Sequence, residues 1–478
     1  MNKGFHAPHY GSFRDPAGFV FEQDSVLYRQ VNKAGQADYD SFMQSGLYEQ
    51  LVGEGLIVRH EEVADTAGFK PDGRRYKIIR PERVPFISYP YEWSFSQLKD
   101  AALLTLRLQK LALAQGMILK DASAFNVQFV GIKPIFIDTL SFKTYEAGRP
   151  WEAYKQFCEH FVTTLTLASY GTPDSIKTLR VFLDGIPLSV AAAWLPKRAK
   201  RRWGTLSHIY LHAASQRRYD NNAAKSAAKP RRVSAMALNG LLSSLENTVQ
   251  KLDTPKKDTE WGDYYNDTNY TDSAFKAKKK IVAQLLADIK PLPKTVWDLG
   301  ANDGTFSELS AAAGAYTVAF DIDPNAVNRN YLNSRGVEID TRLLPLSQDL
   351  ANPSPSLGWA HTERLSLQSR GPADAAIALA LVHHLAIGNT LPFGSIADFF
   401  AKISKYLIVE FVPREDSKVQ LLLRRRVQKF PEYTIENFED AFERKFILVK
   451  RSPIPGSHRV IYLYKAKTLN NGKTTAKR

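Results

Sequence analysis

Cysteine is nearly absent from this chain, with one residue, Cys158, among 478. A single thiol excludes an internal disulfide framework and a cysteine-rich zinc site, and makes a reducing cytoplasm the expected home. Long apolar runs are missing too. None reaches the roughly 18 residues that a membrane span needs, so any membrane contact is expected to be peripheral. The opening residues, MNKGFHAPHYGSFRDPAGF, contain no apolar stretch of the secretory-signal kind, so no such signal is expected. No internal repeat is visible. Neither an aromatic-rich RNA-binding strand nor a zinc knuckle accompanies the basic residues, which disfavours RNA as a partner. Acids are outnumbered, 49 against 64 Lys plus Arg, for a net charge of +15.

The excess is clustered at Pro196–Arg202 (PKRAKRR), Lys229–Arg232 (KPRR), Lys276–Lys280 (KAKKK) and Arg424–Arg426. Such runs are usually solvated surface. Where they do bind, the partner is anionic: RNA, a phosphorylated glycan or an acidic membrane face. The length exceeds what one ordinary core fills, so two or three domains are expected.

Two regions of different grammar flank a stretch rich in Ala, Lys, Asn and Arg (Gln216–Ser234). Beyond it, apolar strands alternate with helical segments: TVWDL, GTFSELSAAAGA, YTVAF, ADAAIALAL and KYLIVEF. That alternation predicts an α/β fold with a parallel sheet, and the end of the chain predicts an antiparallel hairpin closing it. Before the stretch, strand-like segments (GFVFEQDSVLYRQVN, RYKIIRPERVPFISYPY) precede a segment, Ser94–Gly116, that is apolar on nearly every face and predicts a buried helix. Sheet first and buried helix after suggests an α+β unit of two lobes.

The first β-α turn of the C-terminal region reads Asp298-Leu-Gly300-Ala-Asn302-Asp303-Gly304. Glycines admit close backbone approach, and the following helix offers free N–H groups. Asp321 ends the next strand, about the distance at which an acid meets ribose hydroxyls. The turn resembles motif I of the class I S-adenosylmethionine-dependent methyltransferases, with Asn302 where the family has its middle glycine. Asn tolerates a left-handed backbone, so the turn survives the exchange. The resemblance spans roughly the last 210 residues. It implies a Rossmann-like fold with a mostly parallel seven-stranded sheet, S-adenosylmethionine as cofactor, Asp321 on its ribose and Asp349 near its adenine. Tyr270 and Lys276 fall where many such enzymes have a helix over the cofactor. The DID of Asp321–Asp323 also fits a glycosyltransferase metal motif, though two carboxylates alone do not specify one.

A methyl acceptor would sit beyond the carboxyl ends of the strands. His383 and His384 follow a strand there and are candidate general bases, with packing as the plainer alternative. Glu410 and Asp416, after the next strand, are candidates for the same pocket.

In the N-terminal region Asp121 and Asn126 have D-x-x-x-x-N spacing, and Asp138 follows a short apolar strand. The passage resembles the catalytic and metal-binding loops of the protein-kinase-like fold, over roughly residues 10–215. That implies Asp121 as the proton acceptor, Asn126 and Asp138 as magnesium ligands, and Mg-ATP as ligand if the site is active. The departures are marked. Leu119-Lys120 precedes Asp121, and Asp138-Thr139-Leu140 replaces Asp-Phe-Gly. Arg29 stands where the strand lysine belongs, with Glu49 as its candidate helix partner, and no glycine-rich phosphate loop is visible. The expected layout is a kinase-like domain at 1–215, a basic linker or helical connector at 216–258, a methyltransferase domain at 259–467 and a basic tail at 468–478. The pairing resembles bifunctional kinase–methyltransferases of bacterial surface polysaccharides, in another domain order, and the methyltransferase half resembles those of nodulation-type and glycan-modifying proteins. Both resemblances imply O-methylation of a glycan or phosphoglycan. A bifunctional kinase–methyltransferase, an RNA methyltransferase and a non-catalytic S-adenosylmethionine-binding module are the alternatives.

Overall fold

The computed structural model describes residues 6–64, 68–222, 232–255, 272–427 and 429–467. Tyr270 and the tail at 468–478 lie outside them. The chain divides into two compact units, one of Met1–Lys257 with Ser356–Leu365, the other of Asp258–Pro355 with Ser366–Arg478.

In the first unit, β1 (Gly18–Gln23), β2 (Val26–Asn32), β3 (His60–Val63) and β4 (Arg75–Pro81) form an antiparallel sheet in the order β1-β2-β4-β3. A two-residue turn joins β1 to β2, with Asp24 and Ser25 at φ 52° and 64°. Positive φ at both positions matches the right-handed twist of a tight hairpin. The expected long helix forms at Phe95–Ala114. Ser94 caps it: its hydroxyl accepts from the Gln97 N–H, and the Gln97 side chain accepts from the Ser94 N–H at 2.9 Å. The helix is not apolar throughout, because Gln97, Thr105 and Gln109 are buried in it beside the leucines. Gln109 Oε1 accepts from the Leu119 N–H at 2.8 Å, tying the helix to the next strand. That strand, β5 (Met117–Leu119), pairs with β8 (Phe142–Thr144), and β6 (Val127–Val130) forms a hairpin with β7 (Lys133–Phe136).

Part of the stretch read as a connector is a helix of this unit. Ala235–Gln250 buries Leu238, Leu242, Leu245 and Val249, a 3-4 apolar stripe. It lies beside the Phe95–Ala114 helix, where Lys110 pairs with Glu246 and the Lys99 ammonium donates to the Gln250 carbonyl at 2.9 Å.

The second unit is one seven-stranded sheet: β9 (Thr295–Leu299), β10 (Tyr316–Asp321), β11 (Leu343–Ser347), β12 (Ala373–Ala378), β13 (Ser404–Phe411), β14 (Phe446–Pro453) and β15 (Val460–Ala466). The order is β11-β10-β9-β12-β13-β15-β14. The first five strands are mutually parallel, and β15 runs antiparallel to both β13 and β14. This is the mostly parallel seven-stranded sheet expected, closing hairpin included. Alternate residues of each strand serve opposite faces. On one face Val296, Ile377, Ile408, Ile461 and Leu463 pack with Val282 and Leu285 of the Asp272–Asp288 helix and with Ile289 just after it. On the other, the Tyr462 and Tyr464 rings pack at a tilt against Phe438 and Phe442. Strand order reverses between β9 and β12, which opens a crevice at their carboxyl ends.

Candidate functional site

The turn after β9 sits at that crevice. Gly300 and Gly304 have φ of 78° and 92°, and Asn302 stands at 50°, the left-handed backbone its chemistry permits. The N–H groups of Gly300 and Ala301 both donate to the Phe320 carbonyl, at 2.8 and 2.9 Å. A Cβ on Gly304 would come within 2.5 Å of the Asn330 side chain, so that glycine is required by space as well as by φ.

Two acids lie beneath the turn. Asp298 is buried, and its Oδ2 accepts from the Ser307 hydroxyl at 2.6 Å. Burial pushes its pKa up to about 7, with the neighbouring Asp321 and Asp303 adding to the shift. Asp321 accepts from the N–H groups of Asn302 at 2.8 Å and Asp323 at 2.9 Å. Burial carries it up to about 6 against those hydrogen bonds. Among the described residues neither acid forms an ion pair, although the Lys278 ammonium works against the rise at Asp298.

Asp321 is opposite Ser347 in the sheet, and Asp349 follows two residues later. Asp349 is half-buried, its Oδ1 accepting from the Ala351 N–H at 2.8 Å. Beside it Ser347 Oγ and Gln348 Nε2 are buried without a hydrogen-bond partner. These orphaned polar atoms were not singled out from sequence, although they stand next to Asp349 in LSQD. Lys276 is exposed on the Asp272–Asp288 helix. The buried lysine there is Lys278, which occupies a position of the helix's inward stripe between Ala274 and Val282. A reading of KAKKK as plain surface charge hides it, whereas the four-residue spacing of that stripe gives it away.

S-Adenosylmethionine is cationic at its sulfonium and ammonium groups, carries two ribose hydroxyls and ends in an adenine amine. A buried and a half-buried acid, a left-handed cradle and orphaned polar atoms at the neighbouring strand end fit that group.

At the acceptor side, Lys278 Nζ pairs with Glu410 Oε2 at 2.7 Å, and both are buried. Glu410 also accepts from the Ala380 N–H at 2.7 Å. Arg459 approaches Glu410 at 3.6 Å and binds Asp416 through Nε at 2.8 Å. Glu410 and Asp416 are thus brought together, by a lysine and an arginine that the sequence did not reveal as partners. His383 is buried, its ring 4.2 Å from that of His384, with Nδ1 unpartnered. Burial, then His384, Arg459 and Lys278, hold its pKa well below the ordinary 6.5, so the imidazole is neutral at pH 7. His384 is partly exposed.

In the first unit, Arg29 Nη2 lies 2.5 Å from Asp138 Oδ1. The second Asp138 oxygen accepts from the Ser141 hydroxyl at 2.5 Å, and Oδ1 also takes the Leu140 N–H at 3.2 Å. Arg29 and Ser141 hold Asp138 as the carboxylate, below its ordinary pKa despite burial. Asp121 goes the other way, raised chiefly by burial, with one oxygen on the Ser123 N–H at 2.8 Å. Asn126 donates to Ser141 Oγ at 3.4 Å. Asp121, Asn126 and Asp138 therefore do converge. Glu49, by contrast, is exposed on the Leu47–Gly53 helix and forms no pair with Arg29, whose partner is Asp138 itself. The expected Arg29–Glu49 pairing fails because the guanidinium reaches a nearer, buried carboxylate. The residues do not fit magnesium: a guanidinium already fills the cation position on Asp138. Among the described residues, no group of three or more His, Cys, Asp or Glu is arranged to hold a metal ion.

No family model matches the chain. The nodulation protein NoeA of Rhizobium meliloti (strain 1021) is 36% identical over 462 residues, which is 95% of each chain. Among solved structures, magnesium protoporphyrin IX methyltransferase ChlM of Synechocystis PCC 6803 is 18% identical, over 43% of this chain and 93% of that one, with a TM-score of 0.32. The N-methyltransferase NodS of Bradyrhizobium japonicum WM9 gives 12%, 41%, 97% and 0.30. The bifunctional kinase-methyltransferase WbdD gives 15%, 42% of each chain and 0.28.

Proposed function

We propose that this chain, which belongs to the family of the nodulation protein NoeA, is an S-adenosylmethionine-dependent methyltransferase acting on an oxygen of a glycan or phosphoglycan. The observation that carries the cofactor is the pair of acids without an ion pair, buried Asp298 and half-buried Asp321, under a left-handed turn at the reversal point of the sheet. S-Adenosylmethionine supplies an electrophilic methyl on sulfur. Asp321 would take the ribose, Asp298 and the close-approaching glycines of the turn the methionine end, and Ser347, Gln348 and Asp349 the adenine edge. The Lys278–Glu410–Arg459–Asp416 cluster fixes the ends of β12 and β13, where an acceptor must be aligned. Neutral His383 is in the protonation state a base requires, and its Nδ1 has no competing donor. A sugar hydroxyl, which must lose a proton as it is methylated, suits that arrangement. The glycan reading draws further support from the family's nodulation name.

The first unit is read as a kinase-like accessory unit that does not transfer phosphate. Its tight β1–β2 turn leaves no loop to cover a phosphate, and Arg29 neutralises Asp138. Calorimetry on the full chain, with S-adenosylmethionine and separately with ATP–magnesium, tests both halves. Heat is expected from S-adenosylmethionine with wild type and little with Asp298→Ala, and none from ATP–magnesium. Absence of S-adenosylmethionine binding by folded wild type overturns the methyltransferase reading. Magnesium-dependent ATP binding abolished by Asp138→Ala overturns the accessory one.

A further inference from the structure

The strongest charge cluster of the chain is not used by either site. Lys197, Arg198, Lys200, Arg201 and Arg202 form the short helical turn Lys197–Arg201 and its exit, all exposed. Leu195 and Ala199 are buried beneath, which pins the turn with its cations outward. Asp184 and Asp220 bound a stretch, 185–219, without a single acid. Among the described residues none of the five cations forms an ion pair, and Arg202 donates to the Lys251 carbonyl at 3.0 Å. Arg198 and Arg202 lie over the Tyr170 ring, and Lys200 lies over Tyr210.

The cluster is bracketed by tryptophans. Trp194 is 54% and Trp203 69% exposed, with Val181 (78%) and Leu211 (52%) exposed on neighbouring elements. The Trp194 ring packs edge-on against Phe182, the residue after Val181, so Val181, Phe182 and Trp194 form one apolar group. Trp203 and Arg202 also line a groove of about 740 Å³ whose wall includes Thr205, Ser243, Asn247 and Lys251. Thr205 Oγ1 is buried there without a partner.

Unpaired cations alone would suit any polyanion. Indole rings and aliphatic side chains held out in water beside them suit a surface that is anionic outside and apolar a few ångströms deeper. Tryptophan prefers the lipid headgroup level, and each basic residue near an anionic leaflet strengthens attachment. Among the described residues no helix is long and apolar enough to cross a membrane, so the contact would be peripheral. We infer that the face built by Trp194, Lys197–Arg202 and Trp203 docks this protein on an anionic lipid surface. The cations attract it, and the two indoles enter the headgroup layer.

The inference is independent of methyl transfer. Its test is flotation of the full chain with vesicles of phosphatidylcholine containing 30% phosphatidylglycerol, against pure phosphatidylcholine, with heparin and a single-stranded RNA as soluble polyanions. Of the two vesicle types only the anionic one is expected to bind, with binding falling roughly fivefold for each cation removed in Lys197→Gln and Arg201→Gln. Trp203→Ser, and Trp194→Ser with Trp203→Ser, should weaken vesicle binding tenfold or more while leaving heparin binding and the melting temperature unchanged. Failure to bind anionic vesicles overturns the inference. So does vesicle binding indifferent to the tryptophans, which would mark a plain polyanion site, or RNA or heparin binding lost in parallel with it.

Discussion

At the level of single residues, charge buried without a partner separates the two sites. Asp298 and Asp321 have pKa values of about 7 and 6, above the ordinary carboxylate value. Stability from these two groups is therefore full below about pH 4 and is lost as pH rises through 6 and 7. A cationic ligand reverses the preference. S-Adenosylmethionine affinity is expected to rise between pH 5 and 8, with proton release on binding, and Asp298→Asn should flatten the profile; calorimetry in buffers of different ionisation enthalpy measures both. An affinity independent of pH would remove these acids from the cofactor site. Lys278 is the opposite case, a buried charge already paired. Lys278→Met removes the nearer cation from buried Glu410, which keeps Arg459 at 3.6 Å, and about 1.5–3 kcal/mol of unfolding free energy should disappear in urea titrations. Lys278→Met with Glu410→Leu should recover most of it, because the pair is then replaced by apolar volume.

At the level of elements, the turn after β9 was readable because its glycines answer to local sterics. Asn302 was readable too, as one of the few residues that accept its φ of 50°. Asn302→Gly should leave cofactor affinity within about threefold, whereas Asn302→Val should cost roughly 1–2 kcal/mol of stability by forcing a branched side chain into left-handed backbone. Thermal melts with and without S-adenosylmethionine separate the two effects. The β1–β2 hairpin shows the converse. Its sequence showed the lack of a glycine loop, but not that Arg29 turns to Asp138 instead of Glu49. Asp138→Asn is expected to cost roughly 3 kcal/mol or more by leaving the Arg29 guanidinium buried and unpaired, and denaturant unfolding reads that loss directly.

At the level of the whole molecule, activity should follow the second unit's chemistry. His383→Ala is expected to lower methyl transfer to glycan acceptor at least a hundredfold with S-adenosylmethionine affinity kept, while His384→Ala should cost less. Near wild-type turnover in both would assign the pair to packing. The sequence by itself determined the alternation of strands and helices, the closing hairpin, the buried Phe95–Ala114 helix and the cradle at Gly300–Gly304. All of these rest on periodicity and backbone sterics acting over a few residues. Only the tertiary structure decided which charges are buried and with whom. Lys278 meets Glu410 across 132 residues, Arg29 meets Asp138 across more than a hundred, and the Ala235–Gln250 stripe finds its core in the first unit. Desolvation and pairing depend on what lies opposite in space, and a helix face or strand end carries no record of that in its own residues.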